Sequence, residues 1–182
     1  MLIIYLSWQL RNIPKRQRQV VELIETLYDP KNIVETNDYI ALKTKVQNGE
    51  DLTQHLSLKA QRKGYTPTSS QTRSDHWSDK DFLLNVMGFH HLHLKALPER
   101  TDDVVFAKVT RSEFIVIGFF NHDVFEPAEQ VDDLLNTERK KLWELFDQHS
   151  KKNAPPNSII IPSMISLSGH TVNMVLLAIS QV

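Results

Sequence analysis

The run Phe114-Ile-Val-Ile-Gly-Phe-Phe120 constrains this chain more than any other feature. It carries no charge and does not alternate with polar residues, and Ile115, Val116 and Ile117 are β-branched. Such a run is too short for a membrane helix and needs burial on both faces, so it is expected to be a central strand. Two more extended runs precede it. Phe89–Leu94 alternates, and Asp103–Val109 is rich in Val and Phe. Thr110-Arg111-Ser112-Glu113 supplies a hairpin turn before the third. Short connections between consecutive strands predict an antiparallel meander.

Around this meander the apolar period is helical. Pro14 opens a predicted helix with Val20, Val21, Leu23, Ile24 and Leu27 at helical spacing, closed at Asp29-Pro30. A second is predicted over 37–46, with a break at Asn48-Gly49. A third begins near Asp51 or Thr53, contains Leu56, Leu58 and Ala60, and ends at Gly64. Residues 2–8 read as a short buried strand or a first helical turn. Residues 64–75 are polar without periodicity, the pattern of a mobile loop or internal linker. Ser78 or Asp79 caps a short helix through Val86, ended by Gly88. After Pro127 a long helix is expected over 128–149, with Leu134, Leu135, Leu142, Leu145 and Phe146 as its stripe. The stretch 158–179 reads as one or two further strands of the same sheet. The expectation is a single α+β domain over 1–182, an antiparallel sheet with N-terminal helices (a helical part over 1–63) and one long helix.

Composition narrows the chemistry. The chain has no cysteine, which removes disulfides, thiolate metal sites and Cys nucleophiles. Lys plus Arg is 21 against 22 for Asp plus Glu, a net charge of −1, so any nucleic-acid contact must come from a local patch. No segment approaches the ~18 apolar residues of a membrane span. The apolar start, Met1–Trp8, lacks a basic leader region and a small-residue cleavage site. A cytoplasmic protein without a membrane partner is expected.

The histidines carry the chemical signal. His90, His91 and His93 crowd four positions, and His122 follows the central strand in Asn121-His122-Asp123. On a strand, His91 and His93 share one face, about 7 Å apart, and His90 takes the other. With His122 nearby, two chemistries follow. In the first, His91, His93 and His122 act without metal as general acid and base on RNA, with Asp123 orienting a ring. In the second, the same three histidines hold a divalent metal that generates a hydroxide for phosphoester hydrolysis or DNA nicking. Lys95, Arg111 and Arg73 are candidate phosphate contacts, and Trp77, with Tyr65, is a candidate base-stacking residue. Arg62, Lys63, Arg100 and Lys108 add positive charge around the histidines. The runs Arg139-Lys140-Lys141 and Lys15-Arg16-Arg18 read as a solvated face and as a helix start, the latter a possible phosphate contact. A third reading is non-catalytic: Phe119, Phe120, Val124 and Phe125 would form a protein-interaction surface.

The stretch from Phe89 to Glu126 resembles the second half of RelE/YafQ-type bacterial ribonuclease toxins. The matching text is His91-Leu-His93-Leu94, then Val104-Val-Phe-Ala-Lys-Val109, then Phe114-Ile-Val-Ile-Gly118-Phe-Phe-Asn-His122-Asp-Val-Phe125. The resemblance implies a small α+β fold, metal-independent cleavage of mRNA with His122 as catalytic acid or base, and a cognate antitoxin partner. The resulting expectation is an endoribonuclease of the toxin or phage-defence type, with no cofactor, RNA as partner and a homodimer left open. A metal-dependent phosphoesterase and the interaction module stand as alternatives.

Overall fold

A computed structural model describes residues 12–23, 25–56, 84, 87–126 and 136–154, together with the backbone of 166–167 and 170–171. Its centre is a four-stranded sheet in the order β1-β4-β3-β2. These strands are β1 (Gln19–Glu22), β2 (Phe89–His93), β3 (Val104–Val109) and β4 (Glu113–Phe120). The expected meander is present: β2 pairs antiparallel with β3, and β3 with β4. β4 is central, as its apolar run requires, because β1 adds to its other edge.

β1 corrects two expectations. Residues 19–22 are a strand and not part of a helix from Pro14, and they run parallel to β4, so the sheet is mixed. The spacing of Val20 and Val21 fits either period. Pairing decides it, with Val20 opposite Phe114 and Val21 opposite Ile115. The basic cluster ahead of β1 is not at a helix start. Arg18 is buried and donates to the carbonyls of Thr110, Pro14 and Arg16, while Lys15 pairs with Asp51 at 3.0 Å.

Helix α1 (Asn37–Asn48) matches the second predicted helix. The Thr36 hydroxyl accepts from the Tyr39 N–H, and Gly49 stops the helix at φ 73°, a conformation that favours glycine. The described start of the third predicted helix is a 3-10 turn, Thr53–His55, with Leu56 extended after it. Residues 57–64 of that expectation, the loop 64–75, the segment 2–8 and most of the helix before Gly88 lie outside the described residues. Gly88, at φ 69°, donates its N–H back to the Leu84 carbonyl, the expected helix stop. The long helix α2 spans Thr137–Lys152, where extended Asn136 caps it and accepts from the Arg139 N–H, while residues 128–135 of that expectation, with Leu134 and Leu135, lie outside the described residues. Ser166–Leu167 (β5) and His170–Thr171 (β6) pair with each other in a separate sheet and not with the main one.

The sheet is covered on both sides. On one face Leu92, Val105, Phe114, Val116 and Phe119 pack on Tyr39, Leu42 and Val46 of α1. On the other, Phe89, Val104, Phe106, Ile117 and Phe120 pack on Leu142, Trp143, Leu145 and Phe146 of α2. Phe119 and Phe120 thus serve opposite cores. With Val124 and Phe125 they are at most 4% exposed, so the proposed interaction surface is core. Arg139, expected on a solvated face, is 1% exposed and donates to the Val124 carbonyl at 2.8 Å. Burial lowers its guanidinium to about 10, opposed by Glu126.

β4 contains one extra residue. Ala107 pairs with Val116 but Phe106 pairs with Gly118, so Ile117 is bulged. Gly118 is closely approached here. A Cβ would sit 3.1 Å from the Tyr28 carbonyl and Cβ, and Tyr28 bridges to Gly118 while its carbonyl accepts from the Phe119 N–H at 2.7 Å. Among the described residues, no helix is long and apolar enough to cross a membrane.

Candidate functional site

Pairing register builds the site. His93 stands opposite Val104, and Val104 opposite Phe120, so the end of β2, the start of β3 and the end of β4 meet in one row. Beyond Phe120, Asn121 accepts from the Asp123 N–H and starts the 3-10 turn His122–Phe125. This turn lays the His122 ring on that of His93, with centroids 5.0 Å apart and planes inclined by 29°.

The connection before β3 holds both rings. The His93 Nδ1–H donates to the Thr101 carbonyl at 2.8 Å. A carbonyl oxygen only accepts, so the hydrogen of that ring nitrogen is fixed. His122 Nδ1 lies 2.7 Å from the Asp102 carbonyl and 2.9 Å from its carboxylate Oδ1. Both acceptors place the hydrogen on Nδ1 and leave Nε2 as the reactive nitrogen, the arrangement of a carboxylate-backed imidazole. Asp103 completes the segment, pairing with Lys31 Nζ at 2.6 Å. That bond raises the ammonium above its usual value, with Asp102 and Asp123 acting in the same sense and burial opposing. Thr101, Asp102 and Asp103 therefore hold the His93, His122 and Lys31 side chains respectively. The Thr101 hydroxyl braces the segment, accepting from the Leu94 N–H and donating to the Asp103 carbonyl.

Exposure separates the rings. The His122 side chain is 30% exposed, whereas His93 is 3% exposed beneath it. His91, 8% exposed, packs against Phe106 and Phe125, whose ring also borders His122. The three predicted histidines therefore cluster, but only His122 presents substantial surface. His90, paired with Ala107, takes the opposite face as expected. His55, buried below β2, donates from Nδ1 to the His93 carbonyl at 2.9 Å and accepts from Lys45 at 3.3 Å. Burial, with the Lys45 charge, pushes His55 below the ordinary histidine value, against the hydrogen bond to His93.

Several expected contacts fall elsewhere. The carboxylate that orients His122 is Asp102, not Asp123, which is held by the Asn121 amide at 2.6 Å. Arg111 sits in the β3–β4 turn, beyond Val109, at the other end of the strand from Val104. Five residue steps of strand place it about 17 Å away or more, too far to share a phosphate with His122. Lys95 follows β2 but pairs with Asp38 of α1 at 3.6 Å. Arg100 bonds to the Leu56 carbonyl, and Lys108 lies beside His149 at the opposite end of β3. Trp77, Arg73, Tyr65, Arg62 and Lys63 lie outside the described residues. His91, His93 and His122 do not form a metal cage, and no group of three His, Asp or Glu side chains among the described residues is spaced to hold an ion.

Sequence reasoning missed Asp102 and Lys31. The pair Asp102-Asp103 at the start of β3 was the available signal, because a meander returns that end beside the end of β4. Lys31 gave none, since it arrives from the turn after Tyr28, on the far side of β4. The chain matches no protein-family model, no curated protein and no solved structure.

Proposed function

We propose that this chain is an endoribonuclease of the toxin or defence type in which the Asp102–His122 dyad performs proton transfer without a metal. The observation that supports it is the half-exposed His122 ring, with Nδ1 tied to a carboxylate and its face seated on a buried second histidine. A single imidazole so fixed suits the hardest proton transfer in RNA transesterification. The 2′-oxygen bonds to phosphorus while the bond from phosphorus to the 5′-oxygen breaks. His122, in its imidazolium form with Nδ1–H held by Asp102, gives its Nε2 proton to that departing oxygen, and the 2′-hydroxyl proton goes to solvent water. The products are a 2′,3′-cyclic phosphate and a 5′-hydroxyl, and His122 regains its proton from solvent. Protonation of a leaving alkoxide is worth about 10²- to 10⁴-fold. Asp102 orients the ring, and His93 is a positioning residue.

The test is cleavage of labelled single-stranded RNA by the purified chain, in EDTA and with added Mn²⁺ or Zn²⁺ in parallel. The expected result is cleavage that survives EDTA, leaves cyclic phosphate ends and is lost in His122→Ala. Cleavage that appears only with metal would replace this mechanism with metal-dependent phosphoester hydrolysis. No cleavage under either condition would refute the assignment.

A further inference from the structure

The charge around His122 is wrong for a phosphodiester unless a cation joins the site. Asp102 touches the ring, Asp103 follows it, and Asp123 is next in sequence to His122, so a phosphate arriving there meets carboxylates. Lys95 and Arg111, the cations expected from sequence, are paired elsewhere or at the far end of the sheet. Lys31 is in place. Its ammonium is 2.6 Å from Asp103, the residue adjoining the carboxylate that holds His122, and its side chain is 54% exposed.

Its position is built. The Asp29 carboxylate accepts from the N–H groups of Ile33 at 2.7 Å and Val34 at 2.9 Å, and Asn32 adopts φ 53° between them. Tyr28, just before, is fixed to β4 through its carbonyl and to α2 through its hydroxyl, which donates to Glu138. The turn that carries Lys31 is therefore anchored at both ends. The three-residue segment 101–103 then gathers His93, His122 and Lys31 from three different parts of the chain.

We infer that Lys31 is the group that receives the negative charge of the scissile RNA phosphate, released from Asp103 as the substrate enters. This rests on the ribonuclease assignment above and adds a second substrate-contacting group to it. Charge builds on the non-bridging oxygens as the pentacovalent phosphorus forms, and a positioned ammonium stabilises that state more than the ground state. Asp103 is a stand-in: its carboxylate occupies, in the free protein, the place of the phosphate oxygens. Two substitutions at one ion pair then have opposite effects. Lys31→Ala removes the cation and lowers kcat/KM on the order of 10²-fold. Lys31→Arg, which keeps the charge, retains more activity than Lys31→Ala. Asp103→Asn frees the ammonium and lowers KM several-fold.

The experiment is steady-state cleavage of a fluorogenic single-stranded oligoribonucleotide by the full chain and these three variants. His122→Ala is the reference, and each variant's thermal midpoint is measured alongside. If Lys31 only braced the fold, Lys31→Ala and Asp103→Asn would lose activity together, along with their midpoints, and the inference would be overturned. If His122→Ala is inactive while Lys31→Ala cleaves like the parent, the Lys31 role falls and the His122 assignment stands. A parent chain that cleaves no RNA overturns both.

Discussion

A single methyl group added at Gly49 tests the packing of α1 against the strand that precedes it. Two costs arise from separate observations. Gly49 has φ 73°, a conformation that costs an alanine about 1–2 kcal/mol. The new Cβ would also lie 2.6 Å from the Gln17 nitrogen and 2.7 Å from the Arg16 carbonyl carbon. Both atoms are backbone, so relief requires moving the segment that leads into β1, and overpacking of this kind costs about 1–3 kcal/mol. The two costs combine to about 2–5 kcal/mol for Gly49→Ala. For a chain of this size that lowers Tm by about 4–20 °C. Gly88 is the internal control: its φ is 69°, nearly the same, yet among the described residues nothing beyond its chain neighbours lies within 4 Å of where a Cβ would sit. Gly88→Ala carries only the conformational cost, about 1–2 kcal/mol. The reduced entropy of the unfolded chain affects both variants alike. Thermal unfolding followed by far-ultraviolet circular dichroism, with urea midpoints at 25 °C, gives both values. Equal losses at the two glycines would refute the collision between the end of α1 and residues 16–17.

Asp102→Asn is expected to lower RNA cleavage at least tenfold, while Asp123→Asn has a smaller effect, because only Asp102 contacts the His122 ring; equal effects in the same assay would remove Asp102 as the orienting group. His93→Phe keeps an aromatic surface under His122 and is expected to retain more activity than His93→Ala, which a side-by-side comparison of kcat checks. Asn136→Ala removes the cap of α2 and two bonds from the amide to the Asp123 and Glu126 carbonyls, and is expected to cost about 1–3 kcal/mol by urea titration. Acid is expected to weaken the fold through His55 and His149, which burial holds below the ordinary value of 6.5 when folded. The unfolded chain then binds protons that the folded chain resists, so this contribution is full above about pH 6.5 and is lost as pH falls below it. Urea midpoints between pH 7.5 and 5.5 measure it, and a flat profile would show that these rings protonate without resistance.

The sheet was legible where alternation and turn chemistry agreed. Phe89–His93, Val104–Val109 and Glu113–Phe120 each show the strand pattern locally, and Thr110–Glu113 closes the hairpin between the last two. β1 was not legible. Its four residues gain strand geometry only from β4, a partner almost a hundred positions away, and Val20-Val21-x-Leu23 satisfies a helical period as well. The site divides in the same way. Grouping His91, His93 and His122 followed from strand parity and a short connection. Which ring is exposed did not, because burial depends on α2 and the 3-10 turn after β4. Asp123 was the sequence neighbour of His122, but the turn points its carboxylate back to Asn121, and the cross-strand residue Asp102 takes the role. Lys31 reaches the site through a parallel pairing, which leaves no local signature.

The bulge at Ile117 ties the His122 cluster to one alignment of two strands. If β4 continued without it from Ala107–Val116, Val104 would face Phe119 in place of Phe120. Phe119 and Phe120 would exchange cores, and the residues after them would advance about 3.4 Å along the sheet. That step is longer than the 2.9 Å contact between His122 and Asp102. A slipped isomer of this sheet could stay folded, with aromatic rings still filling both cores, and yet lack the contact between His122 and Asp102. Under the proposed function, RNA cleavage per folded molecule would serve as a proofreader of strand alignment, reporting an error that a measure of secondary structure content would pass.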